Sequence, residues 1–174
     1  MNSPRLAVIA GLVLAAASRL LPHPPNFTPV GALALFGGAC LADRRLAFLV
    51  PLAAMLLSDL VLGLHRGMPV TYLCFALIVC VGLRLRCHRR PLPVATAAVV
   101  SALLFYFVSN FSVWSRGKLY PLTLDGLAAC YVAALPFLQN MLLGNLVYAA
   151  LLLGGLALAE QRFPTVRETQ AALA

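Results

Sequence analysis

Charge is scarce in this sequence. Only 10% of the 174 residues are Asp, Glu, Lys or Arg, and five are acidic. Soluble domains are about 25% charged and about 45–50% apolar. Here 62% of residues are hydrophobic and mean hydropathy is +0.93. A chain of this size cannot hide so much apolar surface inside a water-exposed globule, so a soluble domain is excluded and an integral membrane protein remains. Catalytic signatures are missing too. There is no G-x-S-x-G, no H-E-x-x-H, no phosphate-binding P-loop and no pair of carboxylates for acid–base work. The chain therefore carries no nucleotide site. Its five cysteines are odd in number and include no C-x-x-C, which argues against a disulfide framework or a zinc site. His23, His65 and His88 fall in three different connections, so no three-histidine metal site is available. No tandem repeat, low-complexity tract or second soluble domain is evident.

What is present is a series of apolar segments, read as one membrane domain over residues 1–174. The predicted spans are Leu6–Leu21, Pro29–Ala42, Leu46–Leu64, Val70–Leu85, Leu92–Val113 and Phe137–Ala159. The run from Leu127 to Ala159 would reach about 50 Å as one helix, against a hydrocarbon core of about 30 Å. Pro136 is expected to divide it, leaving a short helix over Leu127–Leu135. Arg5 and the small residues at 15–18 resemble a signal peptide, but the next apolar segment follows at once and an uncleaved first span is the simpler reading. Pro22, Pro24, Pro25 and Pro29 exclude helix between the first two spans and make a stiff connection that presents His23 and Asn26.

Orientation can be counted. The net charge of +8 does not mark a nucleic-acid binder, because the arginines sit in short connections without interleaved exposed aromatics. With six spans, one side holds nine basic residues: Arg5, Arg44, Arg45, Arg84, Arg86, Arg89, Arg90, Arg162 and Arg167. The other holds Arg19, Arg66, Arg116 and Lys118. The positive-inside rule then places both termini in the cytoplasm. The proline-rich connection, the His65 turn and the Trp114–Asp125 loop face outward.

Several residues on those outward ends are ligand-binding candidates: His23, Asn26, Asp59, Tyr72, Asn110 and Asn140. They suit a large, partly apolar, amide-bearing ligand, and equally an ordinary polar rim. Asp59 inside a span is expensive unless it is partnered or faces water. Ala7, Gly11 and Ala15 recur every four residues and form a small-residue face, suited to bundle packing or to docking a partner helix. Cys80 lies ten residues below Val70, about 15 Å down and near the bilayer midplane. A thiol there is either a small buried packing residue or a ligand for a soft metal. Cys74 is rotated away from it and reads as packing.

Arg19-Leu-Leu-Pro-His-Pro-Pro-Asn-Phe-Thr-Pro-Val-Gly-Ala-Leu-Ala-Leu-Phe-Gly-Gly38 resembles a family of small six-helix bacterial membrane proteins. That family is related to the substrate-binding S components of energy-coupling-factor transporters. Leu56–Gly63, Val108–Trp114, Tyr131–Phe137, Asn140 and Gly144–Asn145 are similar to it as well. The likeness extends over about residues 5–155. It implies an all-α bundle of six transmembrane helices in the bacterial inner membrane, with a vitamin pocket capped by the external loops. It also implies a small-residue face on the first helix for a coupling subunit that works with ATPases. Cys80 adds a resemblance to the solitary cobalamin-specific S components known as BtuM, some of which work without a dedicated coupling module. This implies cobalamin as substrate, with the Cys80 thiolate as lower axial ligand of cobalt and a Cys80-dependent decyanation of cyanocobalamin. Two alternatives stay open: an S component for another vitamin in which Cys80 only packs, and a membrane thiol or redox protein.

Overall fold

The computed structural model describes residues 17–20, 22–41, 43–86 and 90–162. Among them there is no strand. After the helical residues 17–20 come α1 (Val30–Cys40), α2 (Arg44–Leu62), α3 (Met68–Leu83), α4 (Pro91–Ser115), α5 (Leu124–Ala133) and α6 (Leu135–Arg162). α1, α2, α3, α4 and α6 overlap the last five predicted segments, and α5 overlaps the predicted short helix. Of the first span only residues 17–20 are described, so the face formed by Ala7, Gly11 and Ala15 lies outside the described residues.

Six full spans are not what the described helices provide. α2, α4 and α6 are long and apolar enough to cross a membrane, whereas α1 and α3 have 11 and 16 residues. At 1.5 Å per residue these two reach only about 16 and 24 Å. The break before α6 also falls earlier than expected. Ala134 separates α5 from α6, and Pro136 sits in the first turn of α6, where a missing amide proton costs nothing.

The organising element is α1. It packs against α2, α3, α4 and α6, and nine of its residues are buried. Its sequence, Val-Gly-Ala-Leu-Ala-Leu-Phe-Gly-Gly-Ala-Cys, is apolar all round, as a helix enclosed by others must be. Small residues make that enclosure possible. A Cβ at Gly38 would strike the Val79 carbonyl, and one at Gly82 would strike the Leu35 carbonyl, so α1 and α3 cross with backbone against backbone. Asn145 of α6, fully buried, rests its side-chain oxygen against Gly31 and donates through Nδ2 to the Ala98 carbonyl of α4 at 3.3 Å. One amide thus fixes three helices together.

The connections gather at two ends. Arg86 donates to the Gly38 and Leu41 carbonyls at 3.0 and 2.7 Å. It satisfies carbonyls that the end of α1 leaves unpaired and places a cation at the negative end of the helix dipole. Arg86→Met is expected to cost about 1.5–3 kcal/mol, the range for hydrogen bonds to a charged group. Exposed Arg84→Met should stay within about 0.5 kcal/mol of the parent in the same thermal unfolding measurement. At the opposite end Arg116 donates to the Arg66 carbonyl at 3.0 Å, and Asn140 donates to the Pro25 carbonyl at 3.0 Å. The proline-rich connection, the 63–67 turn and the 116–123 loop therefore meet at one end, as the alternating topology requires.

Candidate functional site

Because α1 starts only at Val30, the end of the bundle above it has no central helix. Two adjoining cavities, about 320 and 260 Å³, open there and share Asn26 and Phe105 as walls. Asn26 reaches this position from a left-handed backbone conformation, φ 65°, a region Asn tolerates better than most residues. Asn140, Phe27 and Tyr148 hold the proline-rich connection in place. The Asn140 bond to Pro25 anchors its middle, and the Phe27 and Tyr148 rings pack at 5.6 Å.

The larger cavity is lined by Arg19, His23, Asn26, Thr28 and Thr71, with Met55, Leu62, Phe75 and Phe105 forming its apolar side. Behind Arg19 lies Asp59, 1% exposed. Arg19 Nη1 meets Asp59 Oδ1 at 2.7 Å and also donates to Ser58 Oγ and to the Met55 carbonyl. The Tyr72 hydroxyl donates to the other Asp59 oxygen at 3.0 Å. Asp59 is thus a fully engaged partner, which is how an intramembrane carboxylate becomes affordable. The smaller cavity is bounded by Asn26, Phe105, Tyr106, Ser109, Asn110, Ala134, Phe137, Leu138 and Met141. Asn110 Nδ2 donates back to the Tyr106 carbonyl at 2.8 Å, which leaves its side-chain oxygen for other partners. Tyr106 donates to the Tyr131 carbonyl at 2.7 Å and Tyr131 to the Phe107 carbonyl at 2.9 Å. Tyr106 lines the cavity and Tyr131 packs behind it, ring centroids 5.3 Å apart.

Six of the residues singled out in the sequence thus collect at this end. His23, Asn26 and Asn110 line the cavities, Asp59 and Tyr72 hold Arg19 in place, and Asn140 positions the loop above. Cys80 is not with them. It is the thirteenth residue of the sixteen in α3, less than one turn from that helix's last residue and close to the arginine-rich end. Nor is it a buried packing residue. Cys40, Cys74 and Cys130 are buried, whereas Cys80 is exposed. Its thiol opens into a groove of about 750 Å³ on the flank between α3 and α4, bordered by Leu77, Val81, Arg84, Leu92, Thr96 and Val100 among others. The expected depth was counted from Val70; the helix starts at Met68, so Cys80 lies twelve residues, about 18 Å, from the start of a helix about 24 Å long.

Sequence reasoning missed Arg19, which entered only the count of charges by side. The signal was available, since an arginine in the first apolar segment and an aspartate in the third are rare intramembrane charges of opposite sign that are expected to pair. Among the described residues no group of three His, Cys, Asp or Glu side chains is placed to hold a metal ion.

A family model matches residues 1–166, nearly the whole chain. The chain belongs to DUF6580, a family of unknown function. No curated protein and no solved structure matches it. Membership in DUF6580 thus spans the helical bundle, both cavities and the Cys80 groove, and assigns chemistry to none of them.

Proposed function

We propose that this chain is a solute-binding membrane protein of the S-component kind, that it takes up cobalamin across the bacterial inner membrane, and that the Cys80 thiolate serves as lower axial ligand of cobalt. The observation that carries this reading is the exposure of Cys80 into a groove of about 750 Å³, within the range of small-molecule sites. A packing cysteine would be enclosed like Cys74. Thiolate is a soft ligand suited to a soft transition-metal centre, and metal coordination removes its proton. Electron donation from sulfur weakens the bond on the opposite face of the corrin. In cyanocobalamin, cyanide would leave with its electron pair, and external thiol would supply the electrons that reduce cobalt. Uptake draws on the surrounding bilayer and on an energy source outside this chain, either a coupling subunit with its ATPases or a solitary mechanism.

Protein purified from cells supplied with cobalamin is expected to carry corrin absorbance with the dimethylbenzimidazole base detached. Cys80→Ser, folded by thermal unfolding, should lose that spectrum and at least ten-fold in affinity. Cys80→Ala protein that still removes cyanide from cyanocobalamin at the parent rate would overturn the assignment.

A second reading is favoured by the two cavities at the proline-loop end. They are walled by the residues expected for an external pocket, lie apart from Cys80, and suit a solute smaller than a corrinoid. On this reading they hold that solute and Cys80 has no part in binding. Solute binding that survives Cys80→Ser unchanged would select it.

A further inference from the structure

We infer that the larger cavity at the proline-loop end is a carboxylate-binding site, with the Arg19 guanidinium as its anchor and an aromatic or otherwise apolar body as the rest of the ligand. This rests on the second reading above, that these cavities hold the solute, and names the chemistry they select.

The argument begins with how Arg19 divides its donors. Among the described residues, its contacts to Asp59, Ser58 and Met55 all use Nη1. None uses Nε or Nη2, and no buried side-chain nitrogen is left without a partner. Arg19 also lines the cavity, and Nε and Nη2 are the donors that no described residue engages. Nε and the adjacent Nη2 form the parallel fork that binds a carboxylate through two hydrogen bonds. Asp59 stands behind Arg19, not in the cavity wall, and holds Nη1 so that the fork is fixed in direction. The Tyr72 bond to the far oxygen of Asp59 keeps that carboxylate from swinging forward.

The rest of the lining agrees. Neither cavity has an acidic residue among its described walls. Asn26, Thr28 and Thr71 flank Arg19 with groups able to donate. Facing them, Phe75 and Phe105 pack with centroids 5.6 Å apart and form an apolar wall. A cavity of about 320 Å³ suits a small molecule with a charged head and a compact ring or chain.

The test uses the full-length protein in detergent with three aromatic monocarboxylates, benzoate, phenylacetate and 3-phenylpropionate, each against its primary amide. At least one acid is expected to bind ten-fold more tightly than its amide. Arg19→Lys, which keeps the charge beside Asp59 but loses the fork, should reduce that preference about ten-fold. A second measurement needs no variant. Phenylglyoxal modification of Arg19, followed by mass spectrometry, should slow at least three-fold with the preferred acid and stay unchanged with its amide. Equal binding or protection by acid and amide would overturn the carboxylate assignment and leave the cavity as a solute site. Absence of binding and protection by every acid and amide would overturn both.

Discussion

Asp59→Ala is expected to destabilise the bundle by about 3–5 kcal/mol, the cost of removing one partner from a buried ion pair. The magnitude follows from what the substitution leaves behind. Arg19 would keep a full charge without its counter-ion, with the Ser58 hydroxyl and the Met55 carbonyl and sulfur as its remaining partners among the described residues. The Tyr72 hydroxyl would lose its acceptor at the same time. Asp59→Asn should cost less, because the amide oxygen can still accept from Arg19 or Tyr72. The double variant Arg19→Met, Asp59→Leu should recover much of the loss, since an apolar pair of similar volume replaces a desolvated ionic one. Thermal unfolding of all four proteins in the same detergent measures this. Equal stability of Asp59→Ala and the parent would mean that the pair does not hold α2 to the helical residues 17–20.

The second large effect is expected at the crossing of α1 and α3. Gly82→Val places branched carbon where the Leu35 carbonyl already stands, and the first added atom would lie 2.4 Å from that oxygen. Backbone cannot rotate away as a side chain can, so the two helices must separate. A cost near or above the upper end of the usual overpacking range, about 3 kcal/mol, is expected. The damage should spread, because α1 touches four other helices. Gly154→Ala in α6 is the matched control. Nothing lies within 4 Å of the added atom, and replacing Gly inside a helix gains up to about 1 kcal/mol. Opposite signs at two helical glycines would show that contact, not helix propensity, sets the outcome at Gly82.

Much of the architecture could be read from the apolar runs and their punctuation. The proline cluster at 22–29, Asp43 and the 65–69 turn each mark a boundary within a few residues of where the helices start or stop. Helix length was less legible. Hydropathy does not distinguish an apolar helix that crosses a membrane from one enclosed by neighbours, and α1 is of the second kind. Cys80 was legible in part. Rotation around the helix separates it from Cys74, which is enclosed as a packing residue while Cys80 is open. Its level along the helix depends on where α3 starts and stops, which apolar runs mark only to within a few residues. The residues of the proline-loop end were legible as a set, because helices that alternate in direction bring the same three connections together whatever the helices do in detail. Arg19 was not, since its role depends on a contact across 40 positions of sequence.

The brevity of α1 also gives the bundle a shallow floor. A central helix of about 16 Å is roughly half as long as a hydrocarbon layer of about 30 Å is thick, so the two cavities occupy the level that a full-length central helix would fill. The foot of that floor is pinned by one side chain, Arg86, through its two hydrogen bonds to the Gly38 and Leu41 carbonyls.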